Sequence, residues 1–371
     1  MINPFTPAMG TVPYEMAGRK DIMSELDYAF DNAPGDPALT TILIGPRGTG
    51  KTALLSYYSK KIPAEGWIAV SASCLEGMLE DIYQQAMKAA KHLMESSKKN
   101  TKQKKHLKIA IAGIIEGGIE SETDNSESLN WRSRMEDLLD ALNEQGIGLL
   151  ITVDEIVPDV DEIVQLTSIY QHWVSDGRKV ALLMAGLPFN IEKLLDMRGS
   201  SFLRRANQKH IGRIDDHDIK DAFRTLVDIG KKQIGEEALT LATKSCEGSP
   251  YLMQLIGYRT WIKTGDRTKI TKDDVENGIE LATRDYETRA LDSTLRELTA
   301  VDIAVLKALK DAGGEAYMAE LATNMGKTSS YMSNYKRKLL KLGIIEEFGK
   351  NRVGFALPHL KEYLEQYEDA K

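Results

Sequence analysis

The sequence predicts an α/β protein: a parallel sheet covered by helices on both faces, then a helical region, then a small module of three helices and a hairpin. Three observations predict it. Short apolar or β-branched runs at 40–44, 67–70, 148–153 and 180–185 alternate with amphipathic helical patterns, as strands buried on both faces do. Residues 215–290 are helical in pattern almost throughout. After Thr299 the pattern changes to three short helices and then two strands. A chain of 371 residues exceeds one average domain, and these changes divide it at 1–212, 213–292 and 293–371.

The elements follow in order. A Pro-rich start and Gly18-Arg19-Lys20-Asp21 lead into a helix with Ile22, Leu26 and Phe30 on one face, closed by Pro34-Gly35-Asp36-Pro37. The run 40–44 is a short buried strand, a helix follows Lys51, and 67–70 is the next strand. A helix from Met78 to about Met94 runs into a lysine-rich insertion at 98–108, read as a solvated loop or frayed helix end, with nucleic-acid contact as the alternative. Next come an apolar run at 109–115, Gly117-Gly118, and a polar stretch at 121–128 expected to be mobile. Trp131, Met135, Leu138, Leu139 and Leu142 recur at spacings of three and four, which marks an amphipathic helix. The strands 148–153 and 180–185 flank a helix at 163–174, and Gly248-Ser249-Pro250 separates two later helices.

Composition excludes several classes. The chain is 42% hydrophobic and 28% charged, with no apolar run near the roughly 18 residues of a membrane span. The start, MINPFTPAMG, lacks a charged region leading into an apolar stretch, so a soluble cytoplasmic protein is expected. Cys74 and Cys246, with no C-x-x-C and only six histidines, argue against a disulfide framework or a structural zinc site and fit small core residues. A net charge of −7 means that any nucleic-acid binding must come from a local patch.

One stretch carries specific chemistry. In "ILIGPRGTGKTALL" the residues Gly45-Pro46-Arg47-Gly48-Thr49-Gly50-Lys51-Thr52 match G-x-x-x-x-G-K-[ST], with a strand before and a helix after. In that setting the backbone N–H groups through Ala53 point at phosphate oxygens, and the helix N-terminus adds its positive dipole end. Glycines permit close approach and backbone angles that other residues resist. Lys51 would reach the β- and γ-phosphates, and Thr52 would place its hydroxyl on Mg²⁺. Downstream, "GLLITVDEI" ends an apolar strand in Asp154-Glu155, at the carboxyl edge of the sheet where such folds bind ligands. Asp154 would hold Mg²⁺ through water, and Glu155 would orient or deprotonate the attacking water.

These residues carry a resemblance to AAA+-like P-loop ATPases. The first stretch resembles a Walker A motif, and 149–155 a Walker B motif. Gly18-Arg19-Lys20-Asp21 is similar to the segment preceding the phosphate loop in the archaeal and eukaryotic origin-recognition ATPases and their bacterial relatives; Gly248-Ser249-Pro250-Tyr251-Leu252 is similar to their lid helix. The resemblance implies ATP and Mg²⁺ as cofactors, an ATPase core, a helical lid at 213–292 that includes Pro250, and a carboxy-terminal winged helix. It places Val12, Tyr14, Gly18 and Arg19 near adenine, with a surface segment packed on the core as the other reading. It also places Arg204 and Arg205 where an arginine touches the γ-phosphate, often that of a neighbouring subunit, so a homo-oligomer is a candidate; an exposed structural arginine is the other reading. Two departures favour a slow switch over fast turnover. The strand "VALLMAGLP" ends without the sensing Asn or Thr, leaving Asn190 displaced, and Tyr251 stands where many relatives place a lid arginine.

In the module, the capping-box sequence Thr299-Ala300-Val301-Asp302 opens the first helix, and the hairpin turns at Gly349-Lys350-Asn351-Arg352. Three helices and a hairpin make a winged helix-turn-helix, whose third helix enters the major groove and whose wing touches phosphates or the minor groove. Thr328, Ser329, Ser330, Tyr331, Asn334, Lys336, Arg337 and Lys338, with Lys350, Asn351 and Arg352 at the wing, suit double-stranded DNA. Yet from Thr299 onward eleven Lys and Arg face ten Asp and Glu, and winged helices also dock on proteins. Three functions remain open: a DNA-binding ATP switch, a signal-transduction ATPase whose winged helix docks on a protein partner, and a nucleotide-binding scaffold without hydrolysis.

Overall fold

The computed structural model describes residues 2–8, 10–96, 127–349 and 351–367. The lysine-rich insertion at 98–108, the run at 109–115, Gly117-Gly118, most of the polar stretch at 121–128, and Lys350 lie outside the described residues. The chain forms two compact units: Asp21–Ile44 with Lys51–His210, and Met1–Lys20 with Gly45–Gly50 and Ile211–Lys371.

The first unit is built on a five-stranded parallel sheet, with β1 Thr40–Ile44, β2 Trp67–Ser73, β3 Gly148–Asp154, β4 Val180–Gly186 and β5 Asn207–His210. Its order is β2-β3-β4-β1-β5. Every residue of β4, and every residue of β3 before Asp154, is buried, as the continuous apolar runs require. The helices Lys51–Lys61, Met78–Ser96, Glu127–Asn143, Asp161–Ser175 and Pro188–Asp196 connect the strands. Trp131, Met135, Leu138, Leu139 and Leu142 are all buried, together with Ile163, Tyr170 and Trp173. Each such side chain contributes about 1.5–3 kcal/mol on removal from water. The parallel register sets Ser73 opposite Asp154 and Val153 opposite Met184.

The first unit departs from the sequence expectation in three places. Strand β2 continues three residues beyond Val70, into Ser71, Ala72 and Ser73, where one face is exposed and polar residues alternate with Ala72. Strand β5 carries no strand signal in the sequence, because Asn-Gln-Lys-His has no apolar residue. It pairs with β1 as the polar edge of the sheet, where Lys209 meets Glu25 at 2.5 Å. The helix marked by Trp131 starts at Glu127, so the last two residues of the stretch expected to be mobile are helical.

The second unit is mainly helical. Its helices Asp216–Ile229, Glu236–Ser245, Pro250–Thr264 and Lys272–Tyr286 surround a small parallel pair, β6 Gln233–Ile234 and β7 Lys269–Ile270. The N-terminal segment is anchored there: Phe5 fills the space over Gly257, and its ring lies 4.8 Å from that of Phe223. After Asp292–Arg296, the Thr299 capping box forms with Asp302 and opens Ala300–Asp311. Helices Met318–Asn324 and Ser329–Lys341 follow. Strands β9 Ile345–Glu347 and β10 Arg352–Phe355 form the hairpin, and β8 Glu315–Tyr317 pairs with β10. The three residues of β8 are too few to show a period in the sequence. Cys74 and Cys246 are buried free thiols. Among the described residues, no helix is long and apolar enough to cross a membrane.

Candidate functional site

The phosphate motif divides along the chain between the units: Gly45–Gly50 belong to the second and Lys51 onward to the first. In the loop, a Cβ on Gly45 would lie 2.0 Å from the Ile211 carbonyl oxygen, so only glycine lets the backbones pass. Gly48 and Gly50 stand at φ 76° and 92°, in the left-handed region. Thr49 is buried and its hydroxyl donates to the Pro46 carbonyl at 2.9 Å, closing the loop on itself.

Arg19 binds this loop through its backbone. Its guanidinium donates to the Thr49 carbonyl at 3.0 Å and to the Gly212 carbonyl at 2.9 Å. Burial holds the guanidinium below its ordinary pKa, with Asp218 opposing. Gly18 and Arg19 thus sit beside the loop, Tyr14 is exposed and Val12 half-buried. Pro250 opens its helix with a ring carbon 3.7 Å from where a Cβ of Gly50 would be. Tyr251 is half-buried with its ring 6.1 Å from that of Tyr286. Burial pushes the Tyr251 hydroxyl up.

Within the first unit, Lys51, Thr52 and Ala53 begin their helix. The Thr52 hydroxyl donates to Asp154 Oδ2 at 2.5 Å, so the two predicted Mg²⁺ ligands meet across 102 residues of sequence. A hydroxyl and a carboxylate are hard oxygen donors of the kind Mg²⁺ takes, and positive-φ glycines before a helix N-terminus suit phosphate. Asp154 Oδ1 accepts the Glu155 amide at 2.8 Å, and Glu155 is exposed with φ 52°. The Ile156 amide donates to the Ala185 carbonyl at 3.0 Å. Asn190, which sequence reasoning left displaced, is buried and donates to the Ile156 carbonyl at 3.1 Å. Arg204 and Arg205 are exposed, and Arg204 donates to the Leu195 carbonyl and to Asp196, each at 3.0 Å.

On the third helix of the module, the Thr328 hydroxyl caps the N-terminus by accepting the Tyr331 amide at 3.2 Å. Ser329, Ser330, Asn334 and Arg337 are exposed, and the rings of Tyr331 and Tyr335 lie 4.9 Å apart. Three cations bind acids of the same module. Lys336 meets Glu347 at 2.7 Å, Lys338 pairs with the buried Asp302, and Arg352 meets Glu315 at 2.6 Å.

Sequence reasoning missed the Arg19 clamp and the Asn190 contact. Their partners are backbone carbonyls distant in sequence, so no local spacing announces them.

A family described as a domain of unknown function, DUF8462, matches residues 289–364. No curated protein matches the chain. Among solved structures, a Walker-type ATPase of Pyrococcus abyssi is similar over 94% of this chain and 96% of its own, at 13% identity and a TM-score of 0.61. The Aeropyrum pernix ORC2 protein, solved in ADPNP–ADP complexes, is similar over 98% of both chains, at 13% identity and a TM-score of 0.63. The chain shares the fold of these structures, a P-loop NTPase fold with a parallel five-stranded sheet surrounded by helices.

Proposed function

We propose that the protein is an ATP-binding switch that hydrolyses ATP slowly and binds double-stranded DNA through its carboxy-terminal module. The observation that carries the nucleotide reading is the Thr52–Asp154 hydrogen bond at the end of β3, with Lys51 next to Thr52 and continuous with a loop of positive-φ glycines. In this reading 1–212 is the ATPase core, 213–292 a lid, and 293–371 a winged helix-turn-helix domain.

The loop amides and the helix N-terminus bind the phosphates, and Lys51 neutralises the β- and γ-oxygens. Thr52 and Asp154 would hold Mg²⁺, which when bound offsets negative charge on the phosphates. Glu155 accepts a proton from water as the water oxygen bonds to the γ-phosphorus and the bond to the ADP oxygen breaks. Arg204 and Arg205 would meet the γ-phosphate of a neighbouring copy. Slow turnover follows from Asn190 being committed to the Ile156 carbonyl and from a tyrosine at position 251.

Exposed Ser329, Ser330, Asn334 and Arg337 support DNA binding by the third helix, with Thr328, Tyr331, Lys336, Lys338 and Arg352 beside them. A second reading, docking on a protein partner, is favoured by the acids that pair Lys336, Lys338 and Arg352. Fluorescence anisotropy with labelled duplex DNA, in ATP and in ADP and across a salt series, separates the two. The DNA reading predicts salt-sensitive, nucleotide-dependent binding; no binding in any state overturns it. Multiple-turnover phosphate release that Lys51→Ala and Glu155→Gln abolish tests the ATPase; no release by the unaltered protein leaves a binding scaffold.

A further inference from the structure

Within the second unit the segment after β5 is held against the phosphate loop. Arg19 donates to both Thr49 and Gly212, so Arg213, the next residue, is fixed beside the loop. On its other side the Ile214 amide donates to the Gly248 carbonyl at 2.8 Å, and a Cβ on Gly248 would lie 2.6 Å from that of Arg213. Arg213 therefore stands at the turn that precedes the helix Pro250–Thr264. Its side chain is exposed, and among the described residues it makes no ion pair within 4.0 Å. It lines a cleft with Pro46, Arg47, Thr49, Glu247, Ser249 and Glu346.

Glu346 comes from β9 of the carboxy-terminal module. It is half-buried, and Arg213 also shares with it a second cavity of about 560 Å³ that includes Phe348, Phe355 and His359. Burial pushes the Glu346 carboxyl up, Arg213 draws it down, and Glu315 adds to the rise. The module is tied to the same turn by His359, whose Nδ1 lies 3.2 Å from Glu247.

We propose that Arg213 contacts the nucleotide phosphates, and that Glu346 competes with those phosphates for it. The proposal rests on the nucleotide reading given above. An exposed arginine already positioned on the loop side gains charge-assisted bonds when phosphate arrives, whereas its electrostatic interaction with Glu346 weakens. Phosphate binding and docking of the module on this turn are then reciprocally coupled through one side chain.

A double-mutant cycle on the full chain tests it, with Mg·ATP affinity measured by calorimetry. Arg213→Ala weakens ATP binding about 10- to 100-fold, the range of one charge-assisted contact. Arg213→Lys keeps most of the affinity and serves as the control for folding. Glu346→Gln tightens binding about 2- to 4-fold by removing the competitor, and does nothing further in the Arg213→Ala background. Unchanged affinity in Arg213→Ala, or an equal gain from Glu346→Gln in both backgrounds, overturns the proposal. If ATP binding is lost in Lys51→Ala but intact in Arg213→Ala, the nucleotide reading stands and only this proposal fails; absence of ATP binding by the unaltered protein overturns both.

Discussion

Glu155 holds φ 52°, a left-handed conformation that a residue with a Cβ adopts at a cost of about 1–3 kcal/mol. Its neighbours enforce it: Asp154 accepts the Glu155 amide, while Ala185 and Asn190 fix Ile156 on the other side. Such strain places a carboxylate in the open just beyond the strand end. Glu155→Gln should keep ATP binding and lose phosphate release about 100-fold or more, the range of a general base. Glu155→Gly should relieve the backbone, leaving the thermal midpoint equal or higher, and still lose turnover; a stable variant with full turnover would remove Glu155 from the chemistry. Asp302 offers a residue-scale test of stability. It is fully buried and accepts from the Thr299 amide, the Thr299 hydroxyl and Lys338. Burial raises its pKa, but the Lys338 and Thr299 bonds outweigh this and hold it below the ordinary carboxyl value. The stabilisation is therefore complete above the unfolded pKa of about 3.9 and is lost as pH falls through the lower folded value. Asp302→Asn should cost about 1–3 kcal/mol near neutral pH in denaturant unfolding, and the deficit should shrink below about pH 4.

At the scale of elements, the strands β1, β3 and β4 are legible in the sequence because both faces are largely buried and their runs are apolar or β-branched. The edge strand β5 is not legible: its side chains are polar, and its place depends on pairing with β1. The capping box at Thr299 and the phosphate-loop glycines are legible because each depends on residues within a few positions of one another. By contrast, Arg19 reaches Gly212 across 193 residues, so a sequence pattern gives Arg19 a place near the loop without its partner. The phosphate loop itself tests this distinction. Gly45→Ala puts a methyl against the Ile211 carbonyl, where backbone cannot give way as a side chain tip can. The expected cost is about 1–3 kcal/mol in unfolding, from overpacking. ATP affinity should fall with it, whereas Thr49→Ser, which keeps the hydroxyl bonded to Pro46, should leave both nearly unchanged.

At the scale of the whole molecule, a net charge of −7 opposes association with DNA, so DNA binding by the module would require a local attraction. Most of the cations nominated from the sequence are engaged already: Lys336 with Glu347, Lys338 with Asp302, and Arg352 with Glu315. Arg337 is exposed and, among the described residues, forms no ion pair within 4.0 Å. Sequence position alone ranks these four alike, because only the fold decides which acids face them. If the module binds DNA, Arg337→Ala should weaken binding and lower the slope of log affinity against log salt by about one contact. Lys338→Ala should instead show mainly as lost stability, since it strands Asp302 in the core. Glu347→Gln should strengthen DNA binding by freeing Lys336 for phosphate. A set of variants in which Arg337→Ala is neutral and Glu347→Gln weakens partner capture would move the module from DNA to protein, because the paired acids would then be its contacts rather than its restraint.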